Sequence, residues 1–93
     1  KVYYTIAEVA EHIDQATSTL RHWEHEFNWL NPKIGKVGHR RYNHDQFNEV
    51  LLINFLLKKA NKTCQGLREA RTEGFYLNMV QFYESKLGPV KMI

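Results

Sequence analysis

The sequence predicts a mainly α fold of four to five short helices, with a small two-stranded β-hairpin set between the second and the third. Three observations carry this. Apolar residues recur at helical spacing in several separate stretches. Two of the helix starts pair a capping residue with Glu or Gln three places on, Thr5 with Glu8 and Asn43 with Gln46. Between them, residues 28–44 lose the helical period, gain glycines and carry Lys33, Lys36, Arg40 and Arg41 with no acid at all. At 93 residues the chain has room for one small domain with an appended helix, which excludes a two-domain enzyme with a site between its halves. An apolar content of 43% and a charged content of 25% exclude a disordered chain.

The first helix starts at Thr5, an N-cap answered by Glu8, and Ile6, Val9, Ala10 and Ile13 form its apolar stripe. Asp14-Gln15-Ala16 is long enough only for a tight turn. The second helix runs from about Thr17 to Phe27, with Leu20, Trp23 and Phe27 inward and Ser18, Arg21, His22 and His25 outward. Two short helices joined in this way make a helix-turn-helix.

Asn31-Pro32 then stops helical structure, because the residue before a proline is pushed toward extended conformations. Gly35 and Gly38 bracket Lys36-Val37 as the tip of a hairpin, with Ile34 on one arm and His39-Arg40-Arg41-Tyr42 on the other. A basic hairpin directly after a helix-turn-helix is the sequence form of a wing, so the fold is a winged helix-turn-helix. Asn43 caps a third helix that reaches about Lys59, rich in apolar residues from Phe47 to Leu57. Thr63 caps a fourth through about Arg71, and Phe75–Leu87 forms the last, bounded by Gly74 and by Gly88-Pro89. That last helix is apolar over most of its girth, with Phe75, Met79, Phe82 and Tyr83 along one stripe and Leu77, Val80 and Leu87 along another. A helix of that kind needs a cover.

Charge is distributed unevenly. The net value is +3, yet residues 1–27 sum to −3 while residues 28–44 sum to +4. A positive strip between near-neutral helices is the footprint of phosphate binding, with a solvated basic loop as its plain alternative. A single cysteine, Cys64, excludes an intrachain disulfide and any all-cysteine metal site. No membrane span and no leader is read, so a cytoplasmic location is expected. The chain carries no Gly-rich phosphate loop, no nucleophile elbow and no HExxH, since His22-Trp23-Glu24-His25-Glu26 has the wrong spacing. No enzyme activity and no cofactor are expected.

The ordered set Tyr4-Thr5-Ile6-Ala7-Glu8-Val9-Ala10, Ser18-Thr19-Leu20-Arg21-His22-Trp23-Glu24, Leu30-Asn31-Pro32, Gly38-His39-Arg40-Arg41-Tyr42 and the run Asp45 to Leu57 resembles the DNA-binding domain of the MerR family of bacterial transcription regulators. The resemblance covers roughly residues 3–71. It departs at His22, where the family usually has tyrosine, and near Ala16-Thr17, where it has Ser or Thr followed by proline. The resemblance implies a DNA-binding domain over residues 1–71 and a C-terminal dimerisation segment over 72–93. It also implies a homodimer on double-stranded DNA, with RNA polymerase at a promoter as a further partner.

A helix fits the major groove and meets base edges with its N-terminal residues, which makes the second helix the reader. Ser18 and Thr19 are candidates there for phosphates or bases, with ordinary capping as the alternative. Arg21 is a candidate phosphate contact, with an intrahelical pair to Glu24 as its competitor. His22 and His25 are hydrogen-bond candidates; as a metal pair they lack a ligand cluster, so no metal is expected. Thr5 joins the DNA-binding set at the start of the first helix. In the wing the candidates are Lys36, His39, Arg40, Arg41 and Tyr42. By resemblance Arg40 fills the family's phosphate-contacting arginine position and Tyr42 the tyrosine close to it. Tyr42 is alternatively a core residue, and Arg41 alternatively pairs with Asp45. Phe75, Met79, Phe82 and Tyr83 are the dimerisation candidates. The competing function is a protein-interaction or recombination-directionality module built on the same winged fold.

Overall fold

Short-range capping sets the helix starts in this chain, and pairing between distant residues closes the sheet. In the computed structural model, residues 2–35 and 40–93 are described, Arg40 by its backbone alone. The expectations for Lys36, His39 and the Arg40 side chain therefore lie outside the described residues. Two compact units form, residues 1–50 together with Ile93, and Leu51–Met92.

In the first unit, β1 (Tyr4–Thr5) leads directly into α1 (Ile6–His12). The Thr5 hydroxyl accepts from the Glu8 N–H at 3.1 Å, and the Glu8 carboxylate accepts from the Thr5 N–H at 2.8 Å. This is the reciprocal box that the sequence predicts. The turn to α2 (Thr17–Glu26) passes through Asp14 at φ 55°, a left-handed position that Asp tolerates better than most residues. The Gln15 N–H donates to the Ala10 carbonyl at 2.9 Å across that turn. α1 and α2 pack on each other through Val9, Ala10, Ile13, Leu20, Trp23 and Phe27, all buried.

β2 (Lys33–Ile34) and β3 (Arg40–Tyr42) form the expected hairpin arms. The sheet is wider than predicted. β1 joins it, giving three antiparallel strands in the order β1-β3-β2, with Tyr4 opposite Tyr42, Thr5 opposite Arg41, Lys33 opposite Arg41 and Ile34 opposite Arg40. Tyr4, half-buried, stacks edge-on with Phe47 at 4.9 Å and with His44 at 5.4 Å, so it packs on the first unit's core.

α3 (His44–Asn54) opens on the second reciprocal box. The Asn43 side chain accepts from the Gln46 N–H at 2.8 Å, and the Gln46 side chain accepts from the Asn43 N–H at 2.9 Å. The Gln46 amide also donates to the Asn31 carbonyl at 2.7 Å, fixing the segment that enters the wing. The boundary between the units falls within α3.

In the second unit the α-helical ladder gives way to a π-helical turn over Phe55–Lys59, where the Ala60 N–H reaches back to the Phe55 carbonyl at 3.0 Å. The expected helix reaches its predicted end, but by this wider turn. α4 (Cys64–Glu73) starts at Thr63, whose hydroxyl accepts from the Gly66 N–H at 3.0 Å, and ends at Gly74 with φ 83°. Only glycine adopts that conformation without strain. α5 (Tyr76–Leu87) packs on α4 and on the π turn. Leu52, Ile53, Phe55, Leu56, Leu67, Ala70, Tyr76 and Val80 build this unit's core. Among the described residues no helix is long and apolar enough to cross a membrane.

Candidate nucleic-acid interface

The alternation of buried and exposed positions on α2 divides it into a core side and a polar side. Leu20, Trp23 and Phe27 are 0%, 3% and 0% exposed. Ser18, Arg21, His22 and His25 are exposed, and Thr19 is half-buried. Ala16 stands at the N-cap in the extended conformation a cap needs, φ −73° and ψ 151°, but supplies no side-chain hydrogen bond. The first turn contains no acid. The polar side of this helix thus offers hydroxyl, guanidinium and imidazole groups, the donor types that contact phosphates and base edges.

Arg21 does not take the competing partner, Glu24. Its Nη1 lies 3.5 Å from the Thr17 hydroxyl one turn back. Glu24 instead accepts a short hydrogen bond from the Tyr42 hydroxyl, reaching from α2 to β3. Tyr42 is wholly buried. The core alternative for this residue therefore describes its side chain, whose hydroxyl is engaged by Glu24. The reason is geometric: strand alternation turns Tyr42 inward to α2 and Arg41 outward to solvent. Arg41 is exposed, at the centre of a row formed with Thr5 on one side and Lys33 on the other.

The protein-family model described as MerR HTH family regulatory protein matches residues 4–73. The chain belongs to the MerR family. As a MerR helix-turn-helix regulator it is a DNA-binding transcription regulator domain. No curated protein and no solved structure matches the chain.

The matched MerR stretch spans the winged helix-turn-helix and α4, with the acid-free strip inside it. Two placements escaped sequence reasoning. Glu24 reads as a helical ion-pair partner until its long-range bond to Tyr42 is seen. Lys33 sits in the basic strip, but only the strand register places it beside Arg41. Of the stripe expected on the last helix, Phe75 and Phe82 are 43% and 53% exposed, and Met79 and Tyr83 are half-buried. The buried pair on α5 is Tyr76 and Val80, which belong to no single predicted stripe.

Proposed function

We propose that the chain acts as a sequence-specific regulator that lays α2 in the major groove of duplex DNA and rests its wing on the phosphate backbone. The observation that carries this reading is the bond between Tyr42 and Glu24, which fastens the wing strand to a helix whose outward side is wholly polar. A reading helix and a basic hairpin joined in this way engage one polyanion together. Phosphate contacts supply most of the affinity, and the outward groups of α2 supply sequence choice.

Residues 1–71 form the DNA-binding part on this reading, and 72–93 bring two copies together. The exposed Phe75 and Phe82, with Met79 and Tyr83 beside them, are the surface on which a second copy is seated. A homodimer presents two reading helices, and half-sites on one side of the duplex are then about 34–36 Å apart or a multiple of it. RNA polymerase at a bacterial promoter is the further partner.

Retention of the chain by random-sequence duplex at low salt tests the core of this reading, and loss of retention would refute it. Arg40→Ala is expected to weaken binding to all sequences alike and to lower the salt slope by about 0.9 for one lost phosphate contact. Removal of residues 75–93 is expected to halve the mass in solution. A truncated chain that stays dimeric rules out α5 as the interface. The exposed stripe on α5 also suits the interaction-module reading, and a chain that ignores DNA but keeps a protein partner would favour it.

A further inference from the structure

We propose that Asn48 on α3 is a backbone-reading clamp that holds the C-terminal segment of the chain as a releasable strap. Gly88, at φ 98°, turns the chain out of α5, and Pro89 keeps it from continuing as helix. The Val90 N–H then donates to the Glu84 carboxylate at 2.8 Å. Three residues on, the Ile93 N–H donates to Asn48 Oδ1 at 2.9 Å, and Asn48 Nδ2 donates to the Ile93 main-chain oxygen at 3.4 Å. Ile93 accordingly belongs to the first compact unit, the one that contains Asn48.

The pairing runs both ways. A carboxamide carries its acceptor and its donors in one plane, the complement of a residue's own N–H and C=O. Asn48 and Ile93 thus exchange two bonds, as a hydrogen-bonded pair in an antiparallel ladder does. Main-chain bonds of this kind give affinity for an extended segment, whereas choice of sequence needs pockets for its side chains. In the strap those side chains lie outside: Met92 is 48% and Ile93 41% exposed, and Lys91 is exposed. Apolar burial therefore contributes little, and the main-chain bonds hold the segment. The identity of residue 48 agrees with this. Asn48 stands within α3, beyond the first-turn positions where asparagine caps a helix, and asparagine is a weak helix former elsewhere.

The occupant is the chain's own segment. Val90 is held by Glu84 only three residues before Ile93, so the segment is presented to the clamp intramolecularly, at an effective concentration that a separate peptide lacks. Release is built in. A few exposed hydrogen bonds without an apolar anchor open locally, well below the free energy of global unfolding. The strap is thus a latch that reads backbone and opens while the rest of the fold stays closed.

Amide hydrogen exchange and backbone order parameters in the full chain test the latch. The Ile93 amide is expected to exchange about tenfold more slowly than an open-chain amide, the equivalent of about 1.4 kcal/mol from one to two ordinary hydrogen bonds. Asn48→Leu removes both bonds and is expected to abolish that protection, whereas Asn48→Asp keeps an acceptor for the N–H and retains most of it. Changes at Ile93, which is exposed, leave the fold intact and separate backbone from side chain. Ile93→Pro removes the N–H, and order parameters at Lys91 and Met92 are expected to fall below about 0.6, the flexible range. Ile93→Ala keeps the N–H and the wild-type order. An Ile93 amide that exchanges at the open-chain rate in the wild type, or equal protection in Asn48→Leu, would overturn the clamp. Release by Ile93→Ala as complete as by Ile93→Pro would show that the side chain holds the segment and overturn the backbone reading. Protection that rises with protein concentration would place the segment of a second copy in the clamp and overturn the intramolecular assignment.

Discussion

Tyr42→Phe isolates the contact on which the DNA-binding geometry depends, because it removes one oxygen and leaves the buried ring in place. Tyr42 is 0% exposed and donates to the carboxylate of Glu24, which is half-buried. Hydrogen bonds to a charged group contribute about 1.5–3 kcal/mol, and the partial exposure of Glu24 argues for the lower end, about 1.5 kcal/mol. For a domain of this size each kcal/mol moves the unfolding midpoint by roughly 4–8 °C, so the variant is expected to melt about 6–12 °C lower. Tyr42→Ala also loses the ring from a packed core, at a cost of about 3–5 kcal/mol. Thermal unfolding monitored by far-ultraviolet circular dichroism, with urea titration to check that the denaturant slope is unchanged, separates the two effects. A double-mutant cycle with Glu24→Ala should return most of the 1.5 kcal/mol as coupling. A Tyr42→Phe protein as stable as the wild type, with no coupling in the cycle, would refute the claim that this bond fastens the wing to α2.

The helix caps offer two further perturbations. Ala16 has the backbone of an N-cap without its side chain, so Ala16→Ser is expected to raise stability by about 1 kcal/mol in urea unfolding; a decrease would show that the hydroxyl cannot reach the first-turn amides. A Cβ on Gly66 would stand 3.2 Å from the Thr63 hydroxyl that caps α4. Gly66→Ala is therefore expected to gain little in the wild type. In a Thr63→Ala background, itself about 1 kcal/mol less stable, the same change should recover up to about 1 kcal/mol of helix propensity. Equal gains in both backgrounds would show that the hydroxyl does not crowd that position.

What the sequence made legible was mostly local. The boxes at Thr5–Glu8 and Asn43–Gln46, the cap at Thr63 and the stop at Gly74 each depend on residues a few places apart, and each is present. The third strand was not legible, because Tyr4 and Thr5 supply only two residues and meet β3 from far along the chain. Glu24 stood only as a competing partner for Arg21 for the same reason: helical spacing offers a neighbour, whereas Tyr42 becomes one only after the wing folds back. On α5 the phenol of Tyr76 hid a buried position from a reading based on apolar stripes. The π turn over Phe55–Lys59 has no marker in an apolar run, since the wider ladder changes the backbone and not the residue types.

The sheet also bears on how the protein avoids sticking to itself. Its outer strands, β1 and β2, are two residues each, too short to offer a neighbouring molecule a continuous ladder of backbone donors and acceptors. The lysine on β2 adds a charge at the same border, and charged side chains on short edges are how natural proteins discourage edge-to-edge aggregation. Lengthening β2, or replacing Lys33 with an apolar residue beside the exposed Ile34, would turn a guarded border into a template for fibre growth.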